Sequence, residues 1–174
     1  MQISSVLVSE FLKTHALNRT FPFLPDLARM EWEISRAFHS RESQTFDASR
    51  LVGLQPEELE KIKFRFQPSV RLINSAWPVL DLWNARHSPV QDINIDLQNN
   101  PQNILIRREG FKVLCDSLDD PAYAFLNLLV KGTPLGQACE ILAEKSAEPL
   151  PVRDWFAQWT ALGLVSDFEL PAVS

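Results

Sequence analysis

The period of the apolar positions changes along the chain, and each change predicts an element. Ile3, Val6, Leu7, Phe11 and Leu17 fall near helical spacing, which predicts an amphipathic helix over residues 3–17. Phe21 to Pro25 forms a kinked apolar entry to a second helix. Pro25 suits a first helical turn, and Asp26 complements the positive end of the helix dipole. Leu27, Met30, Ile34, Ala37 and Phe38 then mark one face that ends near His39. Residues 40–55 are polar and irregular, and Pro56-Glu57-Glu58 opens a short helix to about Ile62. From there the period becomes two. Phe64 and Phe66 alternate with Arg65 and Gln67, then Val70 and Leu72 with Ser69 and Arg71, which predicts a strand interrupted at Pro68. Pro78 starts another short helix carrying Val79, Leu82 and Trp83. Residues 87–103, with Pro89, Pro101 and many Asn, Gln and Asp, read as a linker.

The last third gives the clearest signals. Ile104–Arg108 and Phe111–Asp116 read as two strands joined at Glu109-Gly110. Asp119 or Asp120 can cap a helix with Pro121 in its first turn, and Lys131-Gly132 supplies its stop. Thr133-Pro134 starts a helix with Leu135, Cys139 and Leu142 on its apolar face. Val152, Trp155, Phe156, Trp159 and Leu162 form a third, which ends at Gly163, and Leu164–Phe168 can return as a strand. Two strands, three helices and a closing strand suggest a winged-helix-like module. The expected fold class is α+β, with a helical region and one interrupted strand over 1–88, a linker over 89–103, and a winged-helix-like module with a small antiparallel sheet over 104–174.

Composition narrows the function. The chain has 174 residues, 45% apolar and 22% charged, which is enough for a packed core and excludes wholesale disorder. The formal charge is 17 − 22 = −5. From Ile104 to Ser174 it is 6 − 10 = −4, and the third helix offers only Arg153, offset by Asp154. Phosphate neutralisation has little to work with, so nucleic acid is not the expected partner. The longest uncharged run, Trp155–Ser166, has twelve residues, short of the ~20 of a membrane span. The N-terminus lacks the basic region of a signal peptide. Cys115 and Cys139, with no CxxC, read as reduced thiols. A cytoplasmic protein is expected.

Catalytic patterns are not visible. His15, His39 and His87 stand alone, Glu31 and Glu33 point to different helix faces, and there is no GxSxG, Walker loop or GxGxxG. The hairpin and the third helix are more informative. A strand beside a helix leaves a groove in which an extended peptide can add as a new strand. The strand is Lys112, Val113, Leu114, Cys115 and Asp116, and the helix wall is Arg153, Phe156 and Trp159. The alternative is a covered, purely structural hairpin.

Several short motifs resemble one family. Phe23-Leu24-Pro25-Asp26-Leu27-Ala28-Arg29-Met30-Glu31-Trp32, followed by Phe38-His39, is similar to its P-x-L-A-R-L-E-W…YH helix. Trp77-Pro78-Val79-Leu80-Asp81-Leu82-Trp83 resembles its Y-P-V-x-x-L-W segment, and Ile106-Arg107-Arg108-Glu109-Gly110 its W-R-R-G-x-x-V hairpin. These are accessory proteins that partner multinuclear non-haem iron-dependent oxidases, which modify cysteines of ribosomally made peptides, as in methanobactin, a copper chelator. Longer members carry an N-terminal helical domain; here only the helix at 3–17 precedes the matching region, which favours the compact methanobactin type. The resemblance implies a non-catalytic subunit that forms a heterodimer with the oxidase and holds the leader of the precursor peptide. It implies that Arg29, Trp32 and His39 on the 1–88 region pack on the oxidase, that the 104–174 module grips the leader, and that the iron belongs to the partner, with no cofactor in this chain. The competing readings are a winged-helix transcriptional regulator and a general protein-interaction scaffold.

Overall fold

The computed structural model describes residues 5–44, 46–98, 100–146 and 149–170. In chain order its elements are α1 (Ser5–Thr14), α2 (Leu17–Thr20), α3 (Leu24–Phe38), α4 (Pro56–Lys61), β1 (Lys63–Phe66), β2 (Arg71–Ser75), α5 (Val79–Ala85), β3 (Gln102–Glu109), β4 (Lys112–Leu118), α6 (Asp120–Val130), α7 (Leu135–Ala143), α8 (Val152–Ala161) and β5 (Val165–Glu169). The fold is α+β, with small antiparallel sheets. Of the helix expected over 3–17, residues 3 and 4 lie outside the described residues, and the remainder is divided into α1 and α2.

The chain forms two units that interleave in sequence. The first joins Met1–Ser40 to Arg71–Leu118, and the second joins Arg41–Val70 to Asp119–Ser174. The expected division was linear, with its linker at 89–103. The observed divisions instead fall after Ser40, Val70 and Leu118. Long-range strand pairing is the reason: the break at Pro68 separates β1 and β2, which enter different sheets.

In the first unit, α3 begins with Pro25 in its first turn and Asp26 beside it. Its inner face carries Met30 and Ala37, both fully buried, with Leu27 and Ile34 packed alongside. That face meets Ile73, Ile104 and Ile106 of the sheet and Val79 and Leu80 of α5. Each large aliphatic side chain so buried contributes about 1.5–3 kcal/mol relative to exposure. The sheet has the order β2-β3-β4, with Ile73 opposite Ile104 and Ile106 opposite Cys115. The hairpin turn is Gly110-Phe111, closed by the pair Glu109 and Lys112. Gly110 has φ +58°, in the left-handed region that such two-residue turns require.

In the second unit β1 and β5 form an antiparallel ribbon, with Phe64 opposite Phe168 and Arg65 opposite Asp167. The closing strand of the expected 104–174 module therefore pairs with β1 and not with the hairpin β3–β4. The Asp119 carboxylate accepts from Ala122 N–H at 2.7 Å and caps α6. Phe125, Leu126 and Leu129 of α6, Ala138 and Leu142 of α7, and Trp159 of α8 are buried. The Trp159 ring lies 5.9 Å from that of Phe125, and Phe156 lies 4.7 Å from Phe64.

Candidate functional site

The two edges of the three-stranded sheet are treated differently. Along β2, the Arg29 guanidinium donates to the Asn74 carbonyl, and Ser75 Oγ donates to Asp26 Oδ2 at 2.8 Å. Along β4, the only strand paired with it among the described residues is β3. The two-residue turn makes Glu109 and Lys112 a hydrogen-bonded pair, and antiparallel ladders alternate. Lys112, Leu114 and Asp116 thus turn their backbone groups toward β3. Val113, Cys115 and Ser117 turn theirs to the open edge.

A cavity of ≈ 380 Å³ lies beside that edge, within the first unit. Val113 and Cys115 of β4 form one wall, Ile34 and Phe38 of α3 another, and Trp83 with Arg86 at the end of α5 a third. Cross-strand alternation explains this placement: Val113 and Cys115 share the sheet face of Ile104 and Ile106, which packs on α3. The helix beside β4 in this unit is therefore α3.

Polar groups fix the rim. Arg108 Nη1 donates to the Phe38 carbonyl at 2.8 Å, a cation at the carbonyl end of α3. His39 Nδ1 donates to the Ser35 carbonyl at 2.8 Å, and its ring meets that of Phe38 edge-on at 5.2 Å. The Arg86 guanidinium sits 3.9 Å from the Trp83 ring centroid. Phe38 keeps 46% of its surface exposed. Burial, followed by the Asp116 carboxylate, pushes the Cys115 thiol up to about 11, with Arg86 acting the other way. The group is a neutral thiol at physiological pH and not an activated nucleophile.

The other face of the hairpin carries a charged cluster. Arg107 is 9% exposed and donates to Asp116 at 2.8 Å and to Glu109 at 3.2 Å. Burial disfavours its charge, but these carboxylates outweigh that effect and hold the guanidinium above its usual range.

The residues expected at a binding site thus separate. Val113 and Cys115 line the cavity, Lys112 is exposed at the turn, and Leu114 and Asp116 lie on the opposite face of β4. His39, expected on the oxidase-facing surface, lines the same cavity. Arg29 lies along the β2 edge and pairs with Asp26 at 3.5 Å, while Trp32 is half-buried. Arg153 is exposed on α8 of the second unit. Trp159 is only 1% exposed, so its ring serves the core of that unit and has no surface to offer a peptide. Phe156 packs on Phe64 there. Ile34, Phe38, Trp83 and Arg86 were not anticipated at the site. An aromatic at the last position of α3 and the Trp-x-x-Arg ending of α5 were the signals available.

Among the described residues no group of three or more His, Cys, Asp or Glu is placed to hold a metal ion. No described helix is long and apolar enough to cross a membrane. No protein-family model matches the chain, and no curated protein matches it.

Proposed function

We propose that this chain is a non-catalytic accessory subunit that receives an extended leader peptide on β4. The peptide adds as a fourth strand to the sheet of the first unit, and its alternate side chains enter the cavity bounded by α3 and α5. The observation that carries this reading is the open edge of β4 directly beside a cavity of ≈ 380 Å³ that Ile34, Phe38, Trp83, Val113 and Cys115 line together with the polar Glu31, Ser35, His39 and Arg86. Backbone hydrogen bonds along the edge supply affinity, and Ile34, Phe38 and Trp83 supply selection for apolar side chains. His39 belongs to this peptide site in the proposal, and Trp32 stays with the oxidase contact.

The partner in this reading is an iron-dependent oxidase of the methanobactin type, which carries the metal and converts cysteine to oxazolone and thioamide. The accessory chain contributes position: a held leader raises the effective concentration of the core cysteine at the oxidase. The complex is proposed to act in the cytoplasm, where Cys115 and Cys139 remain thiols. A winged-helix-like arrangement is retained for the second unit alone, where α6, α7 and α8 follow one another and β1–β5 form the ribbon.

The test is Val113→Pro. It removes an N–H from the open edge and leaves the bonds to β3 in place. Anisotropy titration of a labelled leader should show binding reduced at least about tenfold for the loss of one edge hydrogen bond and the ring clash. Wild-type affinity in a folded variant would remove β4 from the site. Co-purification with the candidate oxidase, with iron found only when that subunit is present, tests the heterodimer.

A further inference from the structure

We propose that β4 also pairs with β4 of a second copy of this chain, forming a two-fold symmetric dimer. The inference goes beyond the peptide reading and does not depend on it. It starts from the outward backbone groups of Val113, Cys115 and Ser117, with which a second strand can pair.

The side chains select one register. With the two-fold axis at Leu114, Val113 faces Cys115 of the second copy, and both turn their backbone groups toward each other as a hydrogen-bonded pair demands. The same register sets Lys112 opposite Asp116 of the second copy. Symmetry makes every such pair occur twice. Moving the axis to Cys115 would set Lys112 against Leu118 and Asp116 against Leu114. Moving it to Val113 would set Lys112 against Leu114. Only the Leu114 register matches the charges. Lysine on an edge strand ordinarily discourages association. Asp116, four positions on and on the same face, reverses that effect for this chain's own strand. Lys112 is exposed, and the Asp116 side chain keeps 44% of its surface exposed although it accepts from Arg107.

The test uses the full chain without peptide, so its result stands whether or not a leader binds. Sedimentation over a concentration range should show a monomer–dimer equilibrium. Lys112→Glu sets like charges opposite each other twice and should weaken the dimer about tenfold or more. Leu114→Cys, in a Cys115→Ser and Cys139→Ser background, should form an intermolecular disulfide. A central non-hydrogen-bonded pair has Cα atoms ~4.5 Å apart, within disulfide reach. Ser117→Cys in the same background should not cross-link. A monomer at every concentration would overturn the proposal, and so would a dimer indifferent to Lys112→Glu or cross-linking equally well through position 117.

Discussion

Truncating Phe38 separates a binding surface from a structural one. Its ring is 46% exposed at the rim of the cavity and touches His39 edge-on at 5.2 Å. A fully buried Phe reduced to Ala costs about 3–5 kcal/mol. A ring with nearly half its surface in water loses less: about 1 kcal/mol of transfer energy and ~0.5–1 kcal/mol of aromatic contact, so about 1–2 kcal/mol of stability. The Phe38 carbonyl still accepts from Arg108, so the end of α3 stays tied down. In the bound state the remaining exposed half of the ring would be covered by a peptide side chain. Its loss should remove about 1–2 kcal/mol from binding and raise Kd about five- to thirtyfold. Urea unfolding and anisotropy titration on the same preparation measure both quantities. Val52→Ala, at a side chain 83% exposed on the second unit, is the control and should move neither. A folded Phe38→Ala protein with wild-type Kd would show that no peptide side chain enters between α3 and β4.

Two further expectations probe the same physics elsewhere. In a Cys139→Ser background, alkylation of Cys115 should be slow at neutral pH and rise about tenfold per pH unit toward pH 11, and leader peptide should suppress it. A labelling profile levelling off near the ordinary thiol value of about 8.5 would contradict the burial of that group. In the second unit, a Cβ on Gly136 of α7 would sit 2.9 Å from Glu60 Cβ and 3.1 Å from its carbonyl oxygen. Gly136→Ala should therefore lower the urea midpoint, because overpacking of ~1–3 kcal/mol exceeds the ~1 kcal/mol gained in helix propensity. An increase would mean that α4 and α7 can move apart without loss.

The elements were readable where their causes are local. Pro25 and Asp26 at the start of α3, Asp119 at the cap of α6 and Gly110 in the hairpin turn each act on neighbouring residues, and each element stands where those residues put it. Pairing across long separations was not readable. The alternation from Phe64 to Leu72 has the same period on both sides of Pro68, and nothing in it says that β1 joins β5 while β2 joins β3. The same gap explains the site. The strand Lys112–Asp116 is legible in its own pattern, but the sequence pointed to α8, the third helix downstream, as its neighbour. In the first unit that neighbour is α3, more than 70 positions upstream, and no local signal connects the two.

The arrangement of edges carries the functional argument further than the motifs do. Folded proteins protect exposed strands with ion pairs, bulges, inserted side chains or charge. The β1–β5 ribbon has a register shift between Arg65 and Phe66, and ion pairs join Arg65 to Glu169 and Arg50 to Asp167. The β2 edge has Arg29 bonded to its backbone. On β4 the charges are Lys112 at the turn and Asp116, which is engaged with Arg107 on the face away from the cavity. Between them Val113 and Cys115 present free-facing backbone groups and apolar side chains at the mouth of the cavity. Val113 packs against the core beside Ile104 and Ile106, so its side chain serves stability while its backbone groups stay on the open edge. With no proline or bulge at that position, the edge can take an added strand, whether a leader peptide or a second β4.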